Sequence, residues 1–188
     1  FNTCTNLVLN DIKGMNSAKG AAIRLQQCAD IDLYSCVGTR SRGEFGDAFY
    51  HTSCTDINYN NCSADDTTII GFVSEGNGLT TGISTRIRYS NCYAKNTHDG
   101  AVNYGGTELA TGFWSENTDD FGYSMCYAKN IEHTGFIYAP TYTIGSKVYN
   151  ECNYTGCWVE GALNGFDVGG TGIAGVTRTK VDYNGRKI

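Results

Sequence analysis

The sequence predicts an all-β fold, a β-solenoid of about six turns with 24–34 residues in each turn. The first observation is a repeat: Ile87–Asn96 returns with changes as Phe121–Asn130, and Ile57–Ala64 is an earlier copy. The second is that apolar residues within each copy alternate with a period of two, as they do in strands. The third is that the segments between the copies show no helical pattern of apolar residues.

The copies align when the Cys of each is taken as position zero. Position zero is then occupied by Ile12, Cys36, Cys62, Cys92, Cys126 and Cys157, at steps of 24, 26, 30, 34 and 31 residues. Position −5 holds Leu7, Ile31, Ile57, Ile87, Phe121 and Cys152, and position −3 holds Leu9, Leu33, Tyr59, Tyr89, Tyr123 and Tyr154. Position +2 holds Gly14, Gly38, Ala64, Ala94, Ala128 and Val159, and position −8 holds Cys4, Cys28, Cys54, Ser84, Thr118 and Tyr149. All nine Cys therefore fall into three columns.

Each turn is predicted to contain several short strands. One strand covers positions −5 and −3, and a second covers the Cys-x-small segment that follows. Asn61 and Asn91 lie at the bend between these strands, where Asn tolerates the left-handed backbone conformation. Another strand is predicted after a Gly that follows position zero by eight to ten residues, namely Gly20, Gly46, Gly71, Gly100, Gly135 and Gly165. Leu79–Ile83 is expected to match Leu109–Phe113 in this register.

A single turn cannot bury its own apolar face, so equivalent residues should stack at the strand spacing of about 4.8 Å. Columns of Cys, Ala and Val suit a narrow interior, and we expect the cysteines to be buried and reduced. A few disulfides between stacked cysteines are the alternative. Because Cys4 occupies a column and Val181–Gly185 is expected to begin another copy, residues 1–188 should form one domain, a segment of a longer solenoid.

Composition excludes several classes of protein. The net charge of −5 argues against general nucleic-acid binding, which needs a basic surface. No apolar run approaches the length of a membrane span, so we expect no membrane insertion. The chain begins with Phe1 and shows no signal peptide, which indicates a processed chain or part of a longer one. The 24 Gly and the single Pro fit strands joined by tight turns.

The run Ile-x-Tyr-x-Asn-Cys-x-Ala-x-Asn, followed by Gly-Phe and repeated at uneven steps, resembles the right-handed, single-stranded parallel β-helix of the pectate-lyase-like superfamily. The resemblance covers nearly the whole chain. Within the superfamily the chain looks most like phage tailspike or tail-appendage proteins and polysaccharide depolymerases. The resemblance implies a groove on the helix exterior that binds or cleaves polysaccharide, a homotrimer, and an extracellular or virion-tail location. The Gly-His-Gly motif of polygalacturonase-like members is missing, so their mechanism is not carried over.

If positions −5 and −3 point inward, positions −6 and −4 point outward and place charged residues on one face. Asp56 and Asp120 lie two turns apart, about 9.6 Å, close to the separation of carboxyl groups in inverting glycosidases. Asp120 and Glu151 lie one turn apart, about 5 Å, the separation in retaining enzymes. Arg86 and Arg88 on the same face could bind an acidic sugar or stabilise developing charge. The alternative is a surface charge ladder.

Positions +1 and +3 should also point outward and carry an aromatic stripe beside lysines. Its residues are Tyr93, Tyr127 and Trp158, with Lys95 and Lys129 next to them. Aromatic faces pack against sugars, and lysines would favour acidic sugars. The same stripe could instead be a subunit interface, where Tyr and Trp are enriched, or a plain solvent-exposed face.

Three further features carry separate predictions. His98 and His133 could supply an acid or base near the stripe, but His is too sparse in this chain for a zinc site. Asp65 and Asp66 could hold Ca²⁺ together with Asp99, although a polar turn is the simpler interpretation. The GxGxxG pattern of residues 170–175 lacks a strand–turn–helix context and indicates turns.

The function we expect is recognition, with depolymerisation by a hydrolase or lyase, of a bacterial surface or extracellular polysaccharide. Asp56, Asp120 and Glu151 are the candidate catalytic residues. Arg86, Arg88 and the aromatic stripe with its lysines are the candidate binding residues. The alternative is a non-catalytic binding or structural module of a trimeric tail appendage or surface fibre. No cofactor is expected apart from the Ca²⁺ alternative.

Overall fold

The fold was analysed in a computed structural model, which describes residues 1–18, 20–43, 46–76, 82–99, 110–139, 151–167 and 178–182. Only the backbone is described for Ala139, Glu151, Cys152 and residues 178–182. Every strand in these ranges pairs in parallel with the equivalent strand of a neighbouring turn.

The strands form three parallel sheets, and each turn gives one strand to each sheet in the order I, II, III. Sheet I contains β1 (Thr5–Asn10), β4 (Ala29–Tyr34), β7 (Thr55–Asn60), β10 (Ser84–Ser90), β13 (Thr118–Ser124), β16 (Glu151–Thr155) and β19 (Arg178–Asp182). Sheet II contains β2 (Lys13–Met15), β5 (Val37–Thr39), β8 (Ser63–Thr67), β11 (Tyr93–Thr97), β14 (Tyr127–Ile131) and β17 (Trp158–Glu160). Sheet III contains β3 (Ile23–Gln26), β6 (Phe49–Thr52), β9 (Ile70–Glu75), β12 (Thr111–Glu116), β15 (Thr134–Ala139) and β18 (Asn164–Asp167). The predicted parallel β-helix of about six turns is confirmed.

The interior is built from stacked side chains, one column for each inward position. Tyr59, Tyr89 and Tyr123 are almost fully buried, and their ring centroids lie 4.8 and 4.7 Å apart, the spacing of hydrogen-bonded strands. A second ladder on sheet III holds Phe49, Phe72, Phe113, Phe136 and Phe166 with centroids 4.6–4.9 Å apart. The two ladders meet edge to face, an arrangement that aromatic rings favour.

The corners of the solenoid are formed by residues with left-handed backbone conformation. The bend between sheets I and II shows this at Asn61 and Asn91, with φ of 54° and 51°, as predicted. Asp11, Ser35, Met125 and Gly156 occupy the same corner with positive φ. A single residue with left-handed backbone conformation turns the chain without a loop. The two strands therefore follow each other closely, and the apolar side chains of both face the interior.

The cysteines of the described residues are free and, except for partly exposed Cys4, buried. This confirms the predicted reduced ladders for all but Cys152, whose side chain is not described. In the column at position zero, each thiol donates to the backbone carbonyl of the position −3 residue one turn earlier, as Cys92 does to Tyr59 at 3.5 Å. Burial raises the pKa of Cys36, and it raises that of Cys54 to about 11, so these thiols stay protonated.

Three details of the predicted register are wrong. In the structure Gly112 lies alongside Gly71, because Thr111 pairs with Ile70 and Phe113 with Phe72. Gly112 and Phe113 therefore do not match Gly82 and Ile83 as expected, and Leu79–Thr81 and Leu109 lie outside the described residues. The inward column that opens sheet III reads Ala22, Ala48, Gly71, Gly112, Gly135 and Gly165. Gly20 and Gly46 thus do not open strands as predicted, and Gly100 lies outside the described residues. Strand β19 is also displaced by two residues: a copy beginning at Val181 places Val181 at position −5 and Tyr183 at position −3, but Val181 itself pairs with Tyr154 of position −3.

Candidate functional site

The predicted catalytic face lies on sheet I, where its carboxylates form ion pairs with arginines. The Arg86 guanidinium donates from Nε and Nη2 to the two carboxylate oxygens of Asp56, at 2.5 and 2.7 Å. This bidentate contact holds the pKa of Asp56 below its usual value. Asp56 therefore remains ionised at neutral pH, which does not favour a role as general acid.

Asp120 is paired with the second predicted arginine, Arg88, through one carboxylate oxygen and its backbone carbonyl. Arg88 Nη2 lies 2.6 Å from Asp120 Oδ1, and Nη1 donates to the backbone carbonyl of Asp120. Glu151 begins β16, but its side chain lies outside the described part of the protein. The structure therefore brings Arg86 to Asp56 and Arg88 to Asp120. The catalytic assignment of the three carboxylates stays a prediction.

A depression of about 330 Å³ also lies on sheet I, in the first three turns. Its lining residues are Asn6, Val8, Asp30, Asp32, Asp56 and Asn58. None of these described lining residues is aromatic, so they do not provide the apolar surface on which sugar rings pack.

The aromatic stripe on sheet II forms a stacked ladder. The ring centroids of Tyr93 and Tyr127 lie 4.9 Å apart, as do those of Tyr127 and Trp158, with interplanar angles of 17° and 28°. Tyr127 thus has a neighbouring ring on each face, whereas Tyr93 and Trp158 each stack through one face, and Trp158 remains 40% exposed. Stacking therefore reduces the aromatic surface that this stripe offers to a ligand. The binding role of this stripe stays a prediction.

The two lysines beside the stripe are paired with carboxylates. Lys95 Nζ lies 3.0 Å from Asp65 Oδ2, and Lys129 Nζ lies 3.3 Å from Glu160 Oε1. Tyr127 also donates its hydroxyl hydrogen to Glu160. Each lysine is thus matched by an acidic residue one turn away, which reduces the attraction that this face offers to an acidic sugar.

The corner after sheet II gathers charged residues from three turns around His98. Its Nε2 lies 3.4 Å from Asp66 Oδ1, and its Nδ1 lies 3.0 Å from Glu132 Oε1. Asp66 also binds Arg42 at 2.6 Å. Within the described ranges, no three His, Cys, Asp or Glu side chains are arranged to hold a metal ion. His133 contacts Thr134 at 2.7 Å, and residues 170–175 lie outside the described ranges.

A concave surface that was not predicted lies on sheet III. This groove has a volume of about 350 Å³, and we call it the sheet III groove. Its principal lining residues are Arg24, Asp47, Tyr50, Val73, Glu75, Trp114 and Glu116. Three neighbouring strands supply the core of the groove: Tyr50 from β6, Val73 and Glu75 from β9, and Trp114 and Glu116 from β12.

Strand periodicity explains why these side chains face outward. Phe72 and Ser74 point into the interior, so Val73 and Glu75 point to the opposite face. Val73 is nevertheless only 5% exposed, because it packs with Ile69 and Ile70 in a small cluster that also contacts Tyr50 and Trp114. The groove therefore has an apolar floor.

Each glutamate of the groove accepts a hydrogen bond from an aromatic residue. Tyr50 donates its hydroxyl hydrogen to Glu75. Trp114 Nε1 lies 3.3 Å from Glu116 Oε2. Burial and then the bond to Glu75 raise the pKa of Tyr50, so its hydroxyl stays a donor. Because Glu75 and Glu116 pair directly across β9 and β12, their backbones lie about 4.8 Å apart.

A buried polar chain supports the floor from inside. His51 follows Tyr50 and is fully buried, with Nδ1 3.0 Å from the Tyr59 hydroxyl and Nε2 2.7 Å from Ser74 Oγ. Ser74 Oγ lies 2.7 Å from Thr118 Oγ1. These bonds satisfy polar groups that would be costly to bury alone, and they hold β6 against β9 directly behind the groove.

The sequence contains a signal for this groove that the predicted register concealed. Phe72–Glu75 and Phe113–Glu116 share the pattern Phe-x-Ser-Glu. With Phe113 aligned on Phe72, the strand period places Trp114 beside Val73 and Glu116 beside Glu75 on the outer face. The expected alignment of Leu109–Phe113 with Leu79–Ile83 removed this correspondence.

The sequence was compared with family models and with curated proteins. No family model matches the sequence, and no curated protein matches it. The part of the chain that the structure describes contains no helix of the length and apolarity needed to cross a bilayer.

Proposed function

We propose that this chain recognises a bacterial surface or extracellular polysaccharide and that the sheet III groove binds it. The observation that carries the proposal is the combination of Tyr50 and Trp114 with Glu75 and Glu116 over an apolar floor. Sugar rings present C–H faces to aromatic side chains and hydroxyl donors to carboxylates, so this lining suits a carbohydrate. The groove crosses successive turns and could follow an extended chain.

The repeat pattern supports a proposal for where the protein acts and how it assembles. It resembles phage tailspikes and tail appendages, so we place the chain in such an appendage, on a virion tail or outside a cell. The proposed assembly is a homotrimer. The exposed end of the sheet II ladder, at Trp158, is the surface that would meet another chain. Sedimentation of a monomer would contradict this assembly.

Cleavage of the polysaccharide is a second candidate function. Glu75 and Glu116 pair across adjacent turns with backbones about 4.8 Å apart, so their carboxyl groups can reach the separation of about 5–5.5 Å used by retaining glycosidases. Glu75 accepts the hydroxyl hydrogen of Tyr50, which orients its carboxylate, and it would be the nucleophile. Glu116 would then be the acid and base. Glu75→Gln should abolish the release of reducing ends from a cleaved polysaccharide while binding persists.

The binding proposal is tested with a panel of bacterial capsular polysaccharides and calorimetric titration. Trp114→Ala should weaken binding at least about tenfold, because it removes the largest aromatic surface of the groove. Trp158→Ala is the matched control, since it removes the same side chain from sheet II and should leave affinity unchanged. If Trp158→Ala loses binding and Trp114→Ala does not, the site is the sheet II stripe.

A further inference from the structure

The cysteine column at position zero continues without interruption through five turns. Its members are Cys36, Cys62, Cys92, Cys126 and Cys157, and each of them is no more than 3% exposed. The amide that follows each cysteine after the first donates to the carbonyl oxygen of the cysteine one turn earlier, at 2.9–3.1 Å. These bonds hold the backbones of successive cysteines at the strand spacing of about 4.8 Å.

The five thiols also share one orientation. Each donates to the backbone carbonyl of the position −3 residue one turn earlier, at 3.4–3.6 Å. Because the side chains are equivalent, their sulfur atoms repeat along the column at about the same spacing as the backbones, roughly 4.8 Å. Thiols of successive turns interact directly, as Cys92 does with Cys62 and Cys126. The column is therefore a file of stacked sulfur atoms inside the solenoid.

The spacing of these sulfur atoms fits a metal ion bound between two of them. A thiolate sulfur lies about 2.3 Å from a bound Zn²⁺, and its bond to copper(I) is of similar length. Two such bonds in line span about 4.6 Å, so an ion halfway between stacked sulfurs requires little movement of the strands. A disulfide would instead require the two sulfurs to approach to about 2.05 Å.

The number of ligands selects the kind of ion. Zn²⁺ prefers four ligands, and in the described ranges no three or more His, Cys, Asp or Glu side chains are grouped to hold a metal ion. Copper(I) is a soft ion that thiolates select, and two thiolates in line satisfy it. The column offers such a pair between every two of its turns.

We propose that the cysteine column binds copper(I), with each ion held between the thiolates of two successive turns. Five thiols provide four such positions. The first ion displaces two thiol protons and each adjacent ion displaces one more, and neither sulfur nor copper changes its oxidation state. A filled run carries one net negative charge whatever its length, so the cost of burying charge does not grow along the column. This inference is independent of the polysaccharide proposal, because the column lies in the interior and the sheet III groove on the outer face.

The test counts bound ions by native mass spectrometry after copper(I) is added under nitrogen, as its acetonitrile complex, to the folded 188-residue chain. Cys92→Ser should lower the count by two ions, because the central thiol belongs to two positions. Cys157→Ser is the matched control and should lower the count by one, because no cysteine follows Cys157 in the sequence. Serine keeps a donor for the same carbonyl in both variants, and circular dichroism verifies that they are folded. If the two variants lose equal numbers of ions, or neither loses any, the column assignment is overturned.

Urea unfolding shows whether the ions bind the folded chain. A ligand of the folded state raises the urea midpoint, whereas copper(I) bound only by the nine thiols of the unfolded chain lowers it. Copper(I) should therefore raise the midpoint of the wild-type protein, and the rise should be smaller in Cys92→Ser. Zn²⁺ at the same concentration should not raise it. A fall in the midpoint with copper(I), or an equal rise with Zn²⁺, overturns the inference.

Discussion

At the scale of single residues, His51 shows how a polar side chain is accommodated inside the solenoid. Its ring is fully buried, and both ring nitrogens have hydroxyl partners, on Tyr59 and Ser74. No carboxylate is among these partners, so nothing nearby compensates a positive charge. Burial lowers the pKa of His51 from 6.5 to about 3, and the imidazole stays neutral in the folded protein.

The depressed pKa of His51 predicts a loss of stability in mild acid. The unfolded chain binds a proton near pH 6.5 and the folded chain does not, so this contribution is complete above pH 6.5 and decreases as the pH falls towards 3. At pH 5 the free energy of unfolding should be about 2 kcal/mol lower than at pH 7.5. Urea unfolding between pH 5 and 7.5 measures this slope, above the range where most carboxylates titrate.

His51→Gln is the variant that isolates the effect. Glutamine keeps hydrogen-bonding groups near Tyr59 and Ser74 but does not titrate, so the slope between pH 5 and 7.5 should largely disappear. The variant can be less stable at every pH, because the readout is the slope and not the absolute stability. An unchanged slope would show that other groups cause the acid sensitivity.

At the scale of elements, the strands of sheets II and III approach so closely that one inward column tolerates only small residues. A Cβ built on Gly112 would lie 2.7 Å from the carbonyl oxygen of Gly135 and 3.0 Å from the Cβ of Ala128. Gly71 meets the carbonyl oxygen of Gly112 at 2.6 Å in the same way. The backbone oxygen of the next turn therefore fills the space that a methyl group would need.

Gly112→Ala should consequently destabilise the protein. The added methyl group forces β12 away from β15 and Ala128, and such overpacking typically costs about 1–3 kcal/mol. Urea unfolding at pH 7.5 measures the change. Gly165→Ala is the matched control: it lies in the same column in β18, no atom of the described residues lies within 4 Å of a Cβ added there, and the substitution should be tolerated. Equal effects of the two substitutions would contradict this explanation.

The sequence predicted sheets I and II in register but not sheet III. Tyr59, Tyr89 and Tyr123 follow the Cys column at a fixed offset, so their alignment is readable from spacing alone. The segment between the sheet II strand and the residue that opens sheet III varies in length from turn to turn. The spacing from the Cys column therefore does not fix the register of the sheet III strand that contains Gly112. A glycine by itself does not mark a register when several occur nearby. The Phe ladder, which packs against the Tyr ladder, determines which glycine is used.

The candidate site was missed for the same reason. Outward positions were predicted for sheets I and II, and the charges there proved to be paired across turns, as in Asp56 with Arg86. Such pairs depend on side-chain conformations, which the alignment of the repeats does not specify. The sheet III groove required the correct alignment of Trp114 and Glu116 with Val73 and Glu75. With that alignment, the period-two rule suffices to find it.

At the scale of the whole molecule, the fold is a row of nearly equivalent turns in which each turn contacts its neighbours. The strand pairs link β4 to β7, β7 to β10 and β10 to β13 in sheet I, and the other sheets repeat this order. In such an array stability is approximately the sum of turn and interface contributions, and an end turn lacks one interface. Local unfolding of a turn should therefore cost less free energy near the ends of the array than in its middle.

The cysteine ladder reports this gradient, since nearly every turn carries a buried thiol. In a protein prepared as these 188 residues, iodoacetamide labelling at pH 8 followed by peptide mass spectrometry should modify partly exposed Cys4 first. Cys28 and Cys157 in outer turns should follow, and Cys62 and Cys92 should react at least about tenfold more slowly, because a central thiol is exposed only when turns on both sides separate. Labelling in concentrated urea is the control and should modify all nine cysteines at similar rates. A single common rate for the buried thiols without urea would instead show that the turns open together as one cooperative unit.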